Sequence, residues 1–235
     1  MAHTFQKISI LIPVFNEAAT VAELIRQVRA APASGLQKEI IIVNDASTDG
    51  TQTVLEALPD RDDLRLFHHP YNRGKGAAIR TALEHATGEI CLIQDADLEY
   101  DPADYPKLLA PILAGKADVV FGSRFSGGTH RVLFFWHYMA NRFLTLLSNM
   151  LCNLNLTDME TCYKVFRREC VQDLQLNAER FGIEPELTAK LARRRYRFYE
   201  TDISYSGRDY TEGKKIGWKD GLAALWFIFR YRFFD

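Results

Sequence analysis

The stretch "ISILIPVFNE", residues 8–17, decides the fold of this chain. Apolar residues run through it almost without interruption, and they do not alternate with polar ones. A continuous apolar run of this length is typical of a parallel strand buried on both faces of a sheet. The polar residues at its end come where such a strand would leave the core. We therefore predict a buried strand over 8–15 that carries polar side chains at its carboxyl end.

Similar apolar runs follow in the first half, and segments with helical spacing separate them. The predicted strands lie at 39–44, 64–69, 89–94 and 117–123. Helical patterns occupy residues 21–28, the segment after Thr51, and 74–88. Alternation of this kind predicts an α/β fold, a Rossmann-like, mostly parallel sheet flanked by helices. In such sheets ligands bind beyond the carboxyl ends of the strands.

The pattern changes after Arg124. A long, aromatic helical segment covers 131–156, and a helix at 182–194, a strand at 196–205 and an aromatic terminal helix follow. No linker separates the halves. We predict a ligand-binding core at 1–130 and an extension of the same domain at 131–235.

The charge is balanced overall but uneven along the chain. The 235 residues carry a net charge of −1, yet residues 193–232 hold ten Lys/Arg against five Asp/Glu, a local balance of +5. This segment is either a solvated face or a surface for phosphate or anionic lipid. We expect no nucleic-acid partner, four reduced cysteines in a cytoplasmic setting, no signal peptide and no membrane-spanning run.

The densest acidic cluster is in "IQDADLEYDP", residues 93–102. Two residues apart in extended backbone, Asp95 and Asp97 would point to the same side. Carboxylates so close together suit a divalent cation such as Mg²⁺, which proteins hold through one or two carboxylates plus substrate phosphates. The alternative is that these residues only cap a loop before Pro102. In the same way, Asp45 in "NDASTDGT" could accept hydrogen bonds from a nucleoside while its neighbours cap a helix.

Together these segments resemble a known enzyme family. "ISILIPVFNE", "IIIVNDASTDGT", "NRGKGAAIRTAL", "GEICLIQDADLEYDP" and "VVFGSRF" occur in the order and spacing of the family 2 inverting glycosyltransferases with the GT-A fold. Within that family the chain resembles the dolichyl- and polyprenyl-phosphate mannose and glucose synthases. "TDMETCYKVF", "GIEPELTAKLARR" and "YSGRDYTEGKKIGWKDG" extend the likeness over roughly residues 7–222.

The resemblance implies roles for particular residues. Asp95, Asp97 and Glu99 would bind Mg²⁺ or Mn²⁺ on the donor diphosphate, and position 99 is often Gln in the mannose synthases. Arg124 would lie near the acceptor phosphate, and Arg208 would close over the site; with Asp97 these are the predicted catalytic residues. The other predicted substrate-binding residues are Pro13, Val14, Phe15, Glu17, Asp45, Lys75, Arg131, His137, Asn141 and Lys214.

One segment departs from the subgroup. The mannose synthases commonly read "S-R-x-A-N", whereas this chain reads "HYMAN", with His137 and Tyr138 in place of the usual pair. Arg131 is the candidate to supply the missing positive charge. The departure leaves the acceptor contacts open.

The function implied is metal-dependent transfer of a sugar from UDP or GDP to a polyprenyl phosphate, by a protein held peripherally at the cytoplasmic face of a membrane. A phosphate acceptor is already an anionic nucleophile, so it needs cations to position it rather than a general base. Two alternatives remain: a family 2 enzyme acting on a hydroxyl acceptor, and a non-catalytic sugar-nucleotide-binding scaffold. No Q-x-x-R-W string of the processive synthases occurs.

Overall fold

The computed structural model describes residues 5–59, 62–127, 131–132, 134–180, 182–208 and 218–234. Its strands are β1 Lys7–Val14, β2 Gln37–Asn44, β3 Leu64–His68, β4 Ile90–Ile93, β5 Val119–Ser123, β6 Lys164–Arg167 and β7 Phe198–Asp202. Its α-helices are α1 Val21–Ala30, α2 Thr51–Glu56, α3 Lys75–His85, α4 Tyr105–Leu113, α5 Phe135–Cys152, α6 Ile183–Arg193 and α7 Trp218–Phe233. Short 3₁₀ turns cover Pro102–Asp104 and Arg168–Cys170.

These strands form one sheet in the order β3-β2-β1-β4-β6-β5-β7. All neighbouring pairs are parallel except those of β6, which runs antiparallel to β4 and to β5. The sheet is therefore mostly parallel with helices around it, as predicted. The predicted boundary near residue 130 stays a prediction, although strands from both sides of it lie in this sheet.

The central position of β1 explains its sequence. It pairs with β2 on one side and with β4 on the other. Ile8, Ile10, Leu11 and Ile12 have no exposed surface, because helices cover both faces of a strand in this position. A continuous apolar run is the pattern such burial requires.

The register brings the polar strand ends together. Val14 of β1 lies opposite Asn44 of β2, and Asn44 lies opposite His68 of β3. On the other side, Leu11 pairs with Ile93, the last residue of β4. The segments that follow β1, β2 and β4 therefore leave the sheet at the same edge, and the acidic cluster of residues 95–99 lies there.

The sequence prediction was incomplete in one place. The strand β6 lies in a region for which we predicted no element, and it is inserted between β4 and β5. Its four residues alternate less clearly than those of a longer strand, and Lys164 is among them although it is 1% exposed. A buried lysine at the start of a short strand conceals the apolar signal on which the prediction depends.

All four cysteines are free, as predicted. Among the described residues, no helix combines the length and the apolar character needed to cross a bilayer.

Candidate active site

Three carboxylates at the carboxyl edge of the sheet surround the guanidinium of Arg208. Its Nη2 lies 3.2 Å from Glu17 Oε1 and 3.2 Å from Asp97 Oδ2, and its Nε lies 3.3 Å from Glu99 Oε1. The backbone N–H of Arg208 also donates to Glu99 Oε1, at 3.0 Å. These contacts thus join the segment after β7 to the segments that follow β1 and β4. Arg208 lies over the acidic cluster.

The acidic segment is a turn and not the extended strand end that we predicted. β4 stops at Ile93, and Leu98 adopts a left-handed backbone with φ 62°. This conformation is uncommon for a bulky side chain, and a hydrogen bond of 3.1 Å from the N–H of Glu99 to Asp97 Oδ1 closes the turn. Because of the turn, Asp97 and Glu99 both reach Arg208.

The same segment carries more negative charge than its protein partners neutralise. Burial and the neighbouring carboxylates Asp95 and Glu99 raise the pKa of Asp97 to about 7. Within the described ranges, no three His, Cys, Asp or Glu side chains form a ready-made metal site. The donor set nevertheless fits a hard divalent cation, since carboxylate oxygens are its preferred ligands and their mutual repulsion would fall on binding.

Lys75 connects the acidic turn to helix α6. Its Nζ lies 2.9 Å from Asp95 Oδ1 and 2.9 Å from Glu184 Oε1. Burial alone would lower the pKa of Lys75, but the two carboxylates outweigh it and hold the pKa well above its usual range. Lys75 begins α3 and Glu184 lies in the first turn of α6, so two helix N-termini meet at this end of the site.

Arg124 is held by a buried carboxylate on the other side of the turn. Its Nε and Nη2 donate to Asp158 Oδ2 and Oδ1 at 2.6 and 2.8 Å, a bidentate pair. Asn141 donates to the same carboxylate at 3.0 Å. Burial would raise the pKa of Asp158, but Arg124 lowers it below its usual value. The pair fixes Arg124 immediately after β5, where its side chain remains 15% exposed.

Tyr205 joins the two halves of the site. Its hydroxyl donates to Glu99 Oε2 at 2.7 Å, and its ring lies 5.2 Å from the guanidinium carbon of Arg124. Its backbone carbonyl accepts from the N–H of Arg131 at 3.0 Å. One aromatic side chain therefore contacts both the predicted metal ligands and the predicted phosphate-binding arginine.

Asp45 is packed into the protein at this edge. Its Oδ1 lies 2.7 Å from His69 Nδ1 and accepts from the N–H of Arg73 at 2.9 Å, while its Oδ2 accepts from the N–H of Gly74 at 2.6 Å. The residue is 2% exposed. Its observed contacts fix the loop before α3, so a direct contact with a nucleoside stays a prediction.

The remaining predicted residues lie at the end of β1, near the start of α5, or outside the described part of the chain. Pro13, Val14 and Phe15 lie at the end of β1, where Phe15 is exposed. Arg131 donates to Gly207 O at 3.1 Å, and His137 lies on α5 beside Phe134. Lys214 lies outside the described residues.

Three residues of this site were not predicted from the sequence: Asp158, Glu184 and Tyr205. Each lies far along the chain from its partner. All three stand in segments that carry the family resemblance, "TDMETCYKVF", "GIEPELTAKLARR" and "YSGRDYTEGKKIGWKDG", but the resemblance assigned no role to them.

Comparison with known proteins agrees with this geometry. The sequence model described as Glycosyl transferase family 2 matches residues 9–175. A dolichol-phosphate mannosyltransferase of Pyrococcus furiosus is 27% identical over 187 residues, covering 78% of this chain and 53% of that protein. The glycosyltransferase AglJ of Haloferax volcanii is 29% identical over 188 residues, covering 80% of this chain and 59% of that protein. The chain thus spans little more than half the length of these relatives.

Solved structures share the fold. Glucosyl-3-phosphoglycerate synthase from Mycobacterium tuberculosis, in complex with Mn²⁺, UDP and phosphoglyceric acid, superposes with a TM-score of 0.75 at 19% identity, covering 98% of this chain and 80% of that one. A complex of the same enzyme with Mg²⁺ and UDP gives a TM-score of 0.72 at 20% identity, covering 97% and 79%.

The chain belongs to glycosyl transferase family 2. Its curated relatives include a dolichol-phosphate mannosyltransferase. Both the predicted fold class and the predicted family are confirmed.

Proposed function

We propose that this glycosyltransferase moves a sugar from a UDP- or GDP-sugar to a polyprenyl phosphate, with inversion and with a divalent metal, at the cytoplasmic face of a membrane. The observation that carries the proposal is the placement of Arg124. A bidentate bond to the buried Asp158 fixes this cation next to the acidic turn, and Tyr205 contacts both of them.

Arg124 suits a phosphate acceptor for a physical reason. A guanidinium fixed by a carboxylate on one edge still presents donors on the other, and such donors bind phosphate oxygens in a defined orientation. A phosphate monoester is an anion at neutral pH, so it can attack the sugar without losing a proton to a base. The Pyrococcus relative is a dolichol-phosphate mannosyltransferase, which supports the same class of acceptor.

The acidic turn suits the donor. Asp95, Asp97 and Glu99 would hold Mg²⁺ or Mn²⁺, which neutralises the charge that develops on the leaving diphosphate. Lys75 holds Asp95 in place, and Arg208 ties Asp97 and Glu99 to Glu17. The solved relatives bound to UDP with Mn²⁺ or Mg²⁺ support metal use in this chain.

Two exposed apolar stripes suit a lipid acceptor. On α5, Trp136, Met139, Phe143, Leu146 and Met150 are exposed at spacings of three and four, which places them on one face. On α7 the corresponding stripe is Leu222, Trp226, Phe229 and Phe233. The two helices pack against each other.

These stripes have the composition of a membrane-interface surface. Aromatic side chains dominate them, and Arg230 and Arg232 are exposed in the last turn of α7. Aromatic residues next to arginine favour the interface between headgroups and acyl chains. We propose that α5 and α7 lie on the bilayer that holds the acceptor.

A transfer assay with product detection by mass spectrometry tests the reaction. Purified protein, Mg²⁺ or Mn²⁺, and a short polyprenyl phosphate are incubated with a panel of UDP- and GDP-sugars. We expect a glycosyl-phosphoryl-lipid from one donor, and we expect its formation to be lost with EDTA. Asp97→Asn should reduce it at least about a hundredfold, because the variant loses a ligand of the metal that neutralises the leaving diphosphate. Asp173→Asn, which changes an exposed carboxylate, is the matched control.

Other outcomes distinguish the alternatives. Transfer to a phosphorylated hydroxyl compound such as phosphoglycerate, with none to the lipid, would overturn the proposed acceptor. Binding of the donor without turnover on any acceptor would indicate a scaffold.

A further inference from the structure

Three buried polar atoms close to the site have no hydrogen-bond partner among the described residues. They are Glu160 Oε1, Thr161 Oγ1 and Glu184 Oε2. Thr161 has no exposed surface, and Glu184 is 6% exposed. Leaving a buried polar atom unpaired is destabilising, so three such atoms point to a ligand or water that satisfies them.

The segment that carries Glu160 runs between the two halves of the site. Two residues before it, Asp158 holds Arg124. Two residues after it, the N–H of Cys162 donates to Tyr100 Oη at 3.1 Å, and Cys162 Sγ lies 4.0 Å from Ile93 O, at the end of β4. The backbone segment that carries Glu160 therefore runs from the arginine proposed for the acceptor to the end of β4, which precedes the turn proposed for the donor diphosphate.

Glu184 approaches the same place from α6. Its Oε1 is paired with Lys75, which also holds Asp95, and its Oε2 is one of the three unpaired atoms. The charge of Glu184 also contributes to the raised pKa of Glu160, although the two residues come from different parts of the chain.

The nearby Lys164 directs its hydrogen bonds to backbone carbonyl groups. Lys164 Nζ donates to the carbonyls of Met159 and Thr161, both at 2.7 Å, and lies over the ring of Phe121. Burial lowers its pKa to about 8, while burial and Glu184 raise the pKa of Glu160 to about 8. A carboxyl group that holds its proton at neutral pH both donates and accepts hydrogen bonds, which matches a hydroxyl group.

We propose that Glu160, together with Thr161 and Glu184, binds hydroxyl groups of the transferred sugar and determines which sugar the enzyme accepts. In a transfer from a diphosphate to a phosphate the sugar lies between the two, and the segment that carries Glu160 runs between the residues proposed for each. The proposal rests on the proposed function for the identity of the donor. A site built to pair with a hydroxyl group discriminates strongly against a sugar that lacks it or presents it on the other face.

Direct binding measurements test the proposal independently of turnover. Calorimetry with Mg²⁺ gives the Kd of UDP, of GDP and of a panel of their sugar conjugates that differ at single hydroxyl positions. For Glu160→Met, which keeps the length of the side chain and removes both oxygens, we expect at least about a tenfold increase in the Kd of the preferred nucleotide sugar, because a buried sugar hydroxyl group is left unpaired. The Kd of the free nucleoside diphosphate should stay unchanged, and the discrimination between epimeric sugars should fall.

Thr161→Val provides a second variant. Valine has nearly the shape of threonine, and the hydroxyl it replaces has no partner in the protein, so the fold should be retained. We expect it also to weaken binding of the sugar conjugate and not of the free nucleoside diphosphate.

Glu200→Met is the matched control. The carboxylate of Glu200 accepts hydrogen bonds from the N–H groups of Thr157 and Asp158, so it supports the same segment without an unpaired atom. We expect this change to lower the melting temperature and to leave the ratio of the two Kd values as in the wild type.

Two results would overturn the proposal. If both site variants discriminate between sugars as the wild type does, bound water and not a sugar satisfies these atoms. If they weaken the binding of nucleoside diphosphate and of nucleotide sugar equally, their role is structural.

A third result separates this proposal from the proposed function. If discrimination between sugars depends on Glu160 while no lipid product forms, the sugar subsite stands and the proposed acceptor fails.

Discussion

Arg124 depends on the planar shape of its guanidinium at two contacts, the bidentate bond to Asp158 and the face of Tyr205. Lysine keeps the charge but offers no planar pair of donors. For Arg124→Lys we therefore expect kcat/KM for the lipid phosphate to fall about 10- to 100-fold, equivalent to one or two charge-assisted hydrogen bonds. Initial rates at varied acceptor and at varied donor concentration measure the effect.

The KM for the nucleotide sugar should change by less than about twofold, because Arg124 is proposed to contact the acceptor only. Arg26→Lys, on the exposed face of α1, is the control with the same chemical change. An equal loss for donor and acceptor would contradict the separate role of Arg124.

At the scale of residues, the sequence predicted the side chains of the site better than their partners. Asp95, Asp97, Glu99, Lys75 and Arg208 lie together at one edge of the sheet, and Arg124 contacts Tyr205 beside them, while the roles assigned to these residues stay predictions. The partners Asp158, Glu184 and Tyr205 could not be predicted, because their contacts depend on packing between segments distant in the chain. Asp45 shows the same limit, since its burial follows from His69 and the loop before α3.

At the scale of elements, the position of α3 depends on a glycine. A Cβ added at Gly76 would lie 2.2 Å from the carbonyl oxygen of Ala178. This oxygen belongs to the backbone, so no side-chain rotation can relieve the clash. We expect Gly76→Ala to lower the free energy of unfolding by at least about 2 kcal/mol, because overpacking against backbone exceeds the gain in helix propensity. For a chain of this size that equals a fall in melting temperature of about 4–8 °C.

Gly221→Ala is the control within a helix. Nothing lies within 4 Å of a Cβ added at Gly221, so alanine should leave stability unchanged or raise it by up to about 1 kcal/mol. Thermal unfolding followed by circular dichroism compares the two variants. Equal melting temperatures would show that the segment at 178–180 can move away from α3.

The elements themselves were predicted with unequal success. The strands β1, β2 and β3 and the helices between them were predicted within a few residues, because each has a long apolar pattern with one period. The short strand β6 was missed, and the predicted helix at 131–156 forms only over Phe135–Cys152. Helix ends depend on caps and tertiary contacts that a periodic pattern does not contain.

At the scale of the whole molecule, the stripes on α5 and α7 should determine how strongly the protein binds to a membrane surface. Trp136 is 79% exposed and Trp226 is 59% exposed, so replacing both with serine removes apolar surface without opening the core. We expect the double variant to bind vesicles at least about tenfold more weakly than the wild type, since burial of an aromatic side chain contributes about 1.5–3 kcal/mol. Flotation with vesicles that contain anionic lipid measures this binding.

Tyr71→Ser is the control, because Tyr71 is 66% exposed and lies outside both stripes. Its binding to vesicles should match that of the wild type. Equal flotation of all three proteins would contradict the proposed surface. A wild type that fails to float and forms dimers through α5 and α7 would assign the stripes to a second copy of the chain.

The insertion of β6 between β4 and β5 affects the order in which the molecule can assemble. While the ribosome delivers the chain, β1 to β3 can pair early because they follow one another along the chain, and β4 can join β1 as soon as it emerges. β5 emerges before β6, its neighbour on one side, and before β7, its neighbour on the other. Pairing that depends on segments so far apart is slow. We therefore expect the nascent protein to form the β1–β4 part of the sheet early, and to place Arg208 over the acidic turn only when synthesis is nearly complete.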